Sequence, residues 1–208
     1  REDRIKHHLN AVEAAKQAGV RHIVYTSIAH ADNNPISFSW VHKDTEAALR
    51  ESGIPTTILR NNWYFENLLS SAGIALEHGA FIGSAGEGKV GYATRADYAA
   101  AAAAVLTGEG HEGKVYELSG DTAITNAEIA AEVTAQSGKQ VAYASLPQQE
   151  YAAALEGFGL PASLAADLAQ ADAAISEGAL AAVTDTLSTL IGRPTTTLAA
   201  AVAEALKA

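Results

Sequence analysis

Cysteine is absent from the 208 residues, which removes disulfides, thiolate nucleophiles, zinc knuckles and iron–sulfur clusters from consideration. Methionine is absent too, even at the first position, which is Arg1. Basic residues are scarce: 14 Lys and Arg stand against 24 Asp and Glu, for a formal net charge of −10. A phosphate backbone needs cationic neutralisation, so no nucleic-acid partner is expected. No apolar run reaches transmembrane length, since the Ala-rich stretch Ala100–Leu106 is short and bracketed by Asp97 and Glu109. The start also lacks the charged, apolar and cleavage regions of a signal peptide. A cytoplasmic protein with no membrane partner is the expectation. What remains is an ordinary globular composition, 48% hydrophobic and 18% charged, long enough to bury a sizeable core in one or two domains.

Ile5, Leu9 and Val12 already follow helical spacing, with no capping residue ahead of them. The chain is therefore expected to begin almost inside a helix and to be a piece of a longer protein. That helix should stop at Gly19. The β-branched and aromatic run His22–Thr26 reads as a buried strand, followed by a polar loop through Asn33-Asn34-Pro35 and a helix over Ser39–Glu51 ending at Gly53. Thr56–Arg60 reads as a second strand and Trp63–Glu77 as a further helix. Short joints between alternating helices and strands indicate α/β winding on a parallel sheet.

Beyond residue 80, Ala80–Gly83 and Lys89–Ala93 flank a Gly-rich turn, read as a hairpin. Arg95–Leu106 reads as a helix and Val115–Leu118 as a strand. Thr125 followed three residues later by Glu128 is a capping-box pattern, opening a helix to about Ser137. Val141–Leu146 is the last strand. After Pro147 the chain is helical and Ala-rich, broken at Gly157–Pro161, Gly178 and Gly192–Pro194. The division expected is a sheet domain over roughly residues 1–120 and a smaller, mostly helical part over roughly 121–208.

Several motifs carry less than their spacing promises. Gly83-Ser84-Ala85-Gly86-Glu87-Gly88-Lys89 has the glycine and lysine spacing of a P-loop, but Val90 stands where the Mg²⁺-binding hydroxyl belongs. The segment after it reads as a strand, whereas a phosphate would need a helix N-terminus. His7 and His8 point about 100° apart on a helix and make a poor metal pair. With no His-Glu-x-x-His, no metal site is expected. Hydrolase chemistry is equally unsupported, for want of a Gly-x-Ser-x-Gly elbow.

The informative residues gather at strand ends, beyond which parallel sheets bind ligands. Thr26-Ser27 ends one strand. Asn61-Asn62-Trp63-Tyr64-Phe65-Glu66 follows the next and crowds amides, rings and a carboxylate onto one junction. Three successive rings cannot all face one core, so at least one is expected to face a cleft. Arg95-Ala96-Asp97 opens the helix after the Gly-rich turn. His42 lies on the helix between the two strands.

His42-Lys43-Asp44-Thr45-Glu46, Ser52–Asn61, Trp63-Tyr64-x-Glu66-Asn67 and the opening Asn10–Ser27 together resemble the NmrA-like branch of the short-chain dehydrogenase/reductase superfamily. So do Thr94–Ala99, His111–Leu118 and Leu190-Ile191-Gly192-x-Pro194-Thr195, in one collinear order. Within that branch the chain resembles most the quinone oxidoreductase and triphenylmethane reductase subgroup. The resemblance implies a Rossmann-like, doubly wound parallel sheet that lacks its first strands. It also implies hydride transfer from NADPH, or NADH, to a quinone or similar electron-poor aromatic. A redox sensor that binds NAD(P) without catalysis is the alternative. Two departures stand out. No Gly-x-x-Gly-x-x-Gly turn occurs, and the superfamily's Tyr-x-x-x-Lys places are held by Phe38 and His42. On this resemblance His42 is the catalytic candidate, and Thr26, Ser27, Asn61, Asn62, Trp63, Tyr64, Phe65 and Glu66 are cofactor-binding candidates. Trp63, Tyr64 and Arg95 are candidates for holding the acceptor.

Overall fold

The computed structural model describes residues 2–207. The chain runs α1 (Glu2–Gln17), β1 (Ile23–Ile28), α2 (Ser39–Glu51), β2 (Thr56–Asn61), α3 (Glu66–Leu69), α4 (Ala72–His78), β3 (Ala80–Gly83) and β4 (Lys89–Val90). It continues through α5 (Arg95–Thr107), β5 (Val115–Leu118), β6 (Ile124–Thr125), α6 (Asn126–Ser137) and β7 (Ala142–Ser145). Four helices close it: α7 (Gln148–Gly157), α8 (Ala162–Ser176), α9 (Thr186–Ile191) and α10 (Leu198–Ala205).

β1, β2 and β5 form one parallel sheet with β2 in the centre, as the sequence leads one to expect. Every residue of β2 is buried, the signature of a strand covered on both faces. Val41, Thr45 and Leu49 recur at four-residue spacing and bury one face of α2. Leu59, Leu118, Tyr98, Val105 and Leu187 fill the opposite side, under α5 and α9. α1 packs on α2 and, among the residues whose burial is described, half-buries only Ile5, His8, Val12 and Ala15. Leu9, expected in that stripe, is 45% exposed instead.

The C-terminal half is knitted to the sheet. Asn62 Nδ2 donates to the Leu180 carbonyl at 3.1 Å, and the Gly91 N–H donates to the same oxygen at 3.0 Å. Thr184 Oγ1 donates to the Glu117 carbonyl at 2.7 Å. β3 pairs with β7 in parallel, and β4 pairs with β6 antiparallel, so strands before and after residue 120 share two small sheets. Between them lies a core of Phe65, Phe81, Tyr92, Ile129, Ile175, Leu180 and Val202.

Three expectations need correction. The Gly-rich segment is no hairpin, because β3 and β4 belong to different sheets and β4 ends at Val90. Its glycines answer to packing: a Cβ at Gly88 would collide with the Ile175 carbonyl. Second, residues 63–65 are not helical. Asn62 Oδ1 accepts the Trp63 N–H at 2.7 Å, and the Phe65 N–H donates to the Ala93 carbonyl at 3.0 Å, so the backbone is bonded sideways before α3 begins. Third, β1 continues two residues past Thr26, which places Thr26 and Ser27 within the strand. The capping box is present as read, with Thr125 and Glu128 each bonding the other's backbone N–H.

Candidate active site

A cavity of about 400 Å³ opens beyond the ends of β1 and β2. Of the sequence candidates it brings together Thr26, Ser27, His42, Asn61, Asn62, Trp63, Tyr64 and Arg95. Phe65 does not reach it. That ring is buried and stacks on Tyr92 at 5.3 Å between centroids, as core. Glu66 is displaced too: its carboxylate accepts the Arg95 N–H at 3.0 Å and lines a neighbouring cavity.

One cavity residue, Ser27, is bonded to a buried ion network. Glu46 is fully buried, and Arg60 reaches it with Nε at 2.9 Å and a terminal nitrogen at 2.7 Å. Arg60 also contacts Glu117 at 3.1 Å and Asp32 at 2.9 Å. The Glu46 hydrogen bonds push the Arg60 guanidinium well above its ordinary range. Ser27 Oγ donates to Glu46 Oε1 at 2.6 Å, so its hydroxyl proton serves the network and not the cavity. A buried carboxylate compensated on both oxygens ties α2 to β1 and β2.

The cavity itself is lined by both polar and aromatic side chains. Asn61 Nδ2 donates to the Tyr64 hydroxyl at 3.3 Å, while Asn61 Oδ1 is buried without any hydrogen-bond partner. A buried orphan acceptor is uncommon and invites a donor from a bound molecule. Phe38 stacks on Trp63 at 6.3 Å, forming the aromatic wall. The Arg95 guanidinium lies 5.7 Å from the Tyr64 ring centre.

Sequence reasoning missed Arg4, His8 and Tyr25, all of which line the cavity. Tyr25 Oη lies 2.8 Å from His42 Nδ1, and an Arg4 guanidinium nitrogen lies 3.3 Å from His42 Nε2. Thr45 gives its proton to the Val41 carbonyl, so its oxygen accepts from His8 Nδ1 at 2.8 Å. Burial, then the Arg4 and His8 charges, hold the His42 ring down to a pKa of about 4. The only available signal was that Arg4 and His8 are four apart on one helical face.

A second cavity, of about 620 Å³, adjoins the first and shares Trp63, Asn67 and Arg95 with it. Phe81, Leu155, Phe158 and Leu168 make its walls largely apolar, and α7 and α8 close it from the C-terminal side. Among the described residues no group of three or more His, Asp or Glu is placed to hold a metal ion.

The sequence model of the NmrA-like family matches residues 1–197. The chain belongs to that family. It is 56% identical to quinone oxidoreductase 2 of Escherichia coli (strain K12) over 199 residues, 96% of this chain and 70% of that protein. It is 34% identical to the NAD(P)H azoreductase of Xenophilus azovorans, across 95% of this chain and 69% of that one. The NADPH complex of the Escherichia coli NADPH-dependent quinone oxidoreductase superposes with a TM-score of 0.91, covering 96% of this chain and 70% of that chain at 56% identity. The NADP(H) complex of Citrobacter sp. triphenylmethane reductase superposes at 0.89, with 38% identity and coverage of 97% and 71%. This NmrA-like chain thus has the Rossmann-like α/β fold of NAD(P)-binding reductases.

Proposed function

We propose that this NmrA-like chain acts in hydride transfer from NADPH, with NADH as the alternative donor, to quinones or similar electron-poor aromatics. The carrying observation is the pair of joined cavities: a polar one with an orphan amide acceptor at Asn61, opening into an apolar one at Trp63 and Arg95. The two relatives named for NADPH-dependent quinone reduction and for azo reduction support the same chemistry.

The residues fit the nicotinamide end of a dinucleotide. When bound, reduced nicotinamide supplies the hydride. Asn61 Oδ1 would accept from a carboxamide or ribose donor and so fix the ring's orientation. Tyr25, His42 and Arg4 make a hydrogen-bonded edge suited to ribose hydroxyls. The Phe38–Trp63 stack excludes water from one face and gives a flat acceptor a surface to lie against. A quinone that gains hydride becomes a stabilised phenolate-like anion, so the phenolic donor lost at Phe38 is dispensable. Arg95, at the neck between the cavities, offsets the charge that builds on the acceptor.

The division of labour proposed keeps the donor within residues up to roughly 120 and adds the rest to Trp63 and Arg95 on the acceptor side. Tyr151, Leu155, Phe158 and Asp172 of α7, α8 and their joint all line the apolar cavity. A cytoplasmic location goes with an NADPH-fed reaction; no helix among the described residues is long and apolar enough to cross a membrane.

The test is NADPH oxidation by the purified chain at varied methylnaphthoquinone, beside a binding titration with NADPH. Turnover that saturates in quinone supports the proposal. NADPH binding with no turnover on any quinone would favour the sensor reading instead.

A further inference from the structure

The second cavity is walled mainly by apolar side chains, and α7 and α8 add polar groups to it. On α8, Asp172 Oδ2 accepts the Ser84 N–H at 2.8 Å, and no hydrogen bond within the described residues engages its other oxygen. Tyr151, on α7, brings a second uncommitted polar atom to the same wall. Nearby hydroxyls are already engaged. Tyr92 donates to Asn126 Oδ1 at 2.7 Å, and the Tyr143 oxygen accepts the Ala85 N–H at 2.9 Å. An uncommitted carboxyl oxygen and an uncommitted phenol therefore line the cavity that Trp63 and Arg95 also line.

We propose that Asp172 and Tyr151 are specificity-determining residues, holding a hydrogen-bond-donating substituent, an amino or hydroxyl group, on the flat aromatic acceptor. The inference rests on the acceptor occupying this cavity, as proposed above. An apolar pocket discriminates weakly by shape, whereas a buried polar group left unpaired penalises every ligand that cannot satisfy it. Acceptors with a donor opposite their reducible end are favoured; those with only alkyl groups leave Asp172 unpaired.

The charge state of Asp172 works in the same direction. Burial pushes its carboxyl up to about 6, against the lowering effect of the Ser84 N–H. Tyr92 from the loop after β4, Tyr143 from β7 and Tyr151 from α7 face it, and Glu66, His78 and Arg95 line the same cavity. Above about pH 6 the ionised carboxylate only accepts, and donor-bearing ligands gain most. Below that pH the carboxyl is neutral and the preference fades.

The experiment compares aminonaphthoquinone with methylnaphthoquinone, two flat quinones of nearly equal size that differ in one donor group. Binding to the full chain is read by quenching of tryptophan fluorescence. The wild type should bind the amino compound about ten-fold tighter at neutral pH, the effect of one hydrogen bond to a charged group. Asp172→Asn, which keeps an oxygen for the Ser84 N–H, should bring the two ligands within about two-fold, and Tyr151→Phe should fall between. The wild-type preference should also decay as pH falls through about 6. A His78→Gln variant should keep that decay; its loss there would reassign the effect and overturn the proposal. Equal binding of both quinones by wild type, or an unchanged preference in Asp172→Asn, overturns it as well. Those outcomes leave the reductase reading standing if methylnaphthoquinone still binds and turns over. Failure of both quinones to bind removes the acceptor site itself.

Discussion

Tyr25 Oη lies 2.8 Å from His42 Nδ1, and the Arg4 guanidinium faces the other nitrogen of that ring at 3.3 Å. A guanidinium only donates, so Nε2 accepts and the ring proton sits on Nδ1, donated to the Tyr25 oxygen. The imidazole is thereby fixed in one neutral tautomer, which agrees with a pKa held down to about 4 by burial, Arg4 and His8.

This has a pH consequence with a definite sign. In the unfolded chain His42 takes a proton near its ordinary value of 6.5, whereas the folded ring resists it until about 4. Stability from this group is complete above 6.5 and is lost as pH falls from there toward 4. Urea unfolding of wild type and His42→Asn between pH 7 and 4 should show a steeper loss in wild type. Parallel curves would show that the ring is already charged in the folded protein.

Asn61→Leu should weaken NADPH binding about ten-fold with a stability change of no more than about 1 kcal/mol, because only the long Nδ2–Tyr64 bond is lost and the orphan Oδ1 has no partner in the fold. Calorimetric titration with NADPH, alongside a melting curve, checks both halves. A large drop in melting temperature with unchanged affinity would make Asn61 purely structural.

Trp63 and Phe65 are two residues apart yet should behave oppositely. Trp63→Ala removes the stacked wall and should cost about ten-fold in kcat/KM for quinone, or roughly 1–2 kcal/mol. Phe65→Ala opens a void beside Tyr92 and should destabilise the fold by about 3 kcal/mol, with kinetics unchanged in the folded fraction. Steady-state kinetics and chemical denaturation of both variants separate the two roles.

Glu46→Gln leaves Arg60 without its bidentate partner and should destabilise by about 3 kcal/mol. Asp32 and Glu117 still hold the guanidinium, so Arg60→Met in the same background should recover part of the loss. A double-mutant cycle measures it; strict additivity of the two substitutions would rule out the coupling.

The three-stranded sheet was readable because His22–Thr26, Thr56–Arg60 and Val115–Leu118 are short runs rich in β-branched, aromatic and other apolar residues, and such patterns are local. The same holds for the Thr125–Glu128 cap. Residues 63–65 misled because a side chain, Asn62 Oδ1, takes the Trp63 amide, and because Ala93 bonds the Trp63 carbonyl and the Phe65 amide. Neither competitor lies in the helical pattern itself. Arg4, His8 and Tyr25 were hidden for a different reason. Arg4 and His8 depend on how α1 lies against α2, and Tyr25, on β1, joins the site through its contact with His42 of α2.

Asn62 also governs what the site can do in time. Its side chain spans from the end of β2 to the carbonyls of Leu180 and Ala182, at 3.1 and 3.4 Å, while its own oxygen shapes the turn that carries Trp63. The halves of the molecule are thus latched at the same residue that sets the aromatic wall. Hinge opening between them would break the latch and unmake the wall in one event. A movement of the C-terminal half is therefore felt at Trp63 through a single side chain.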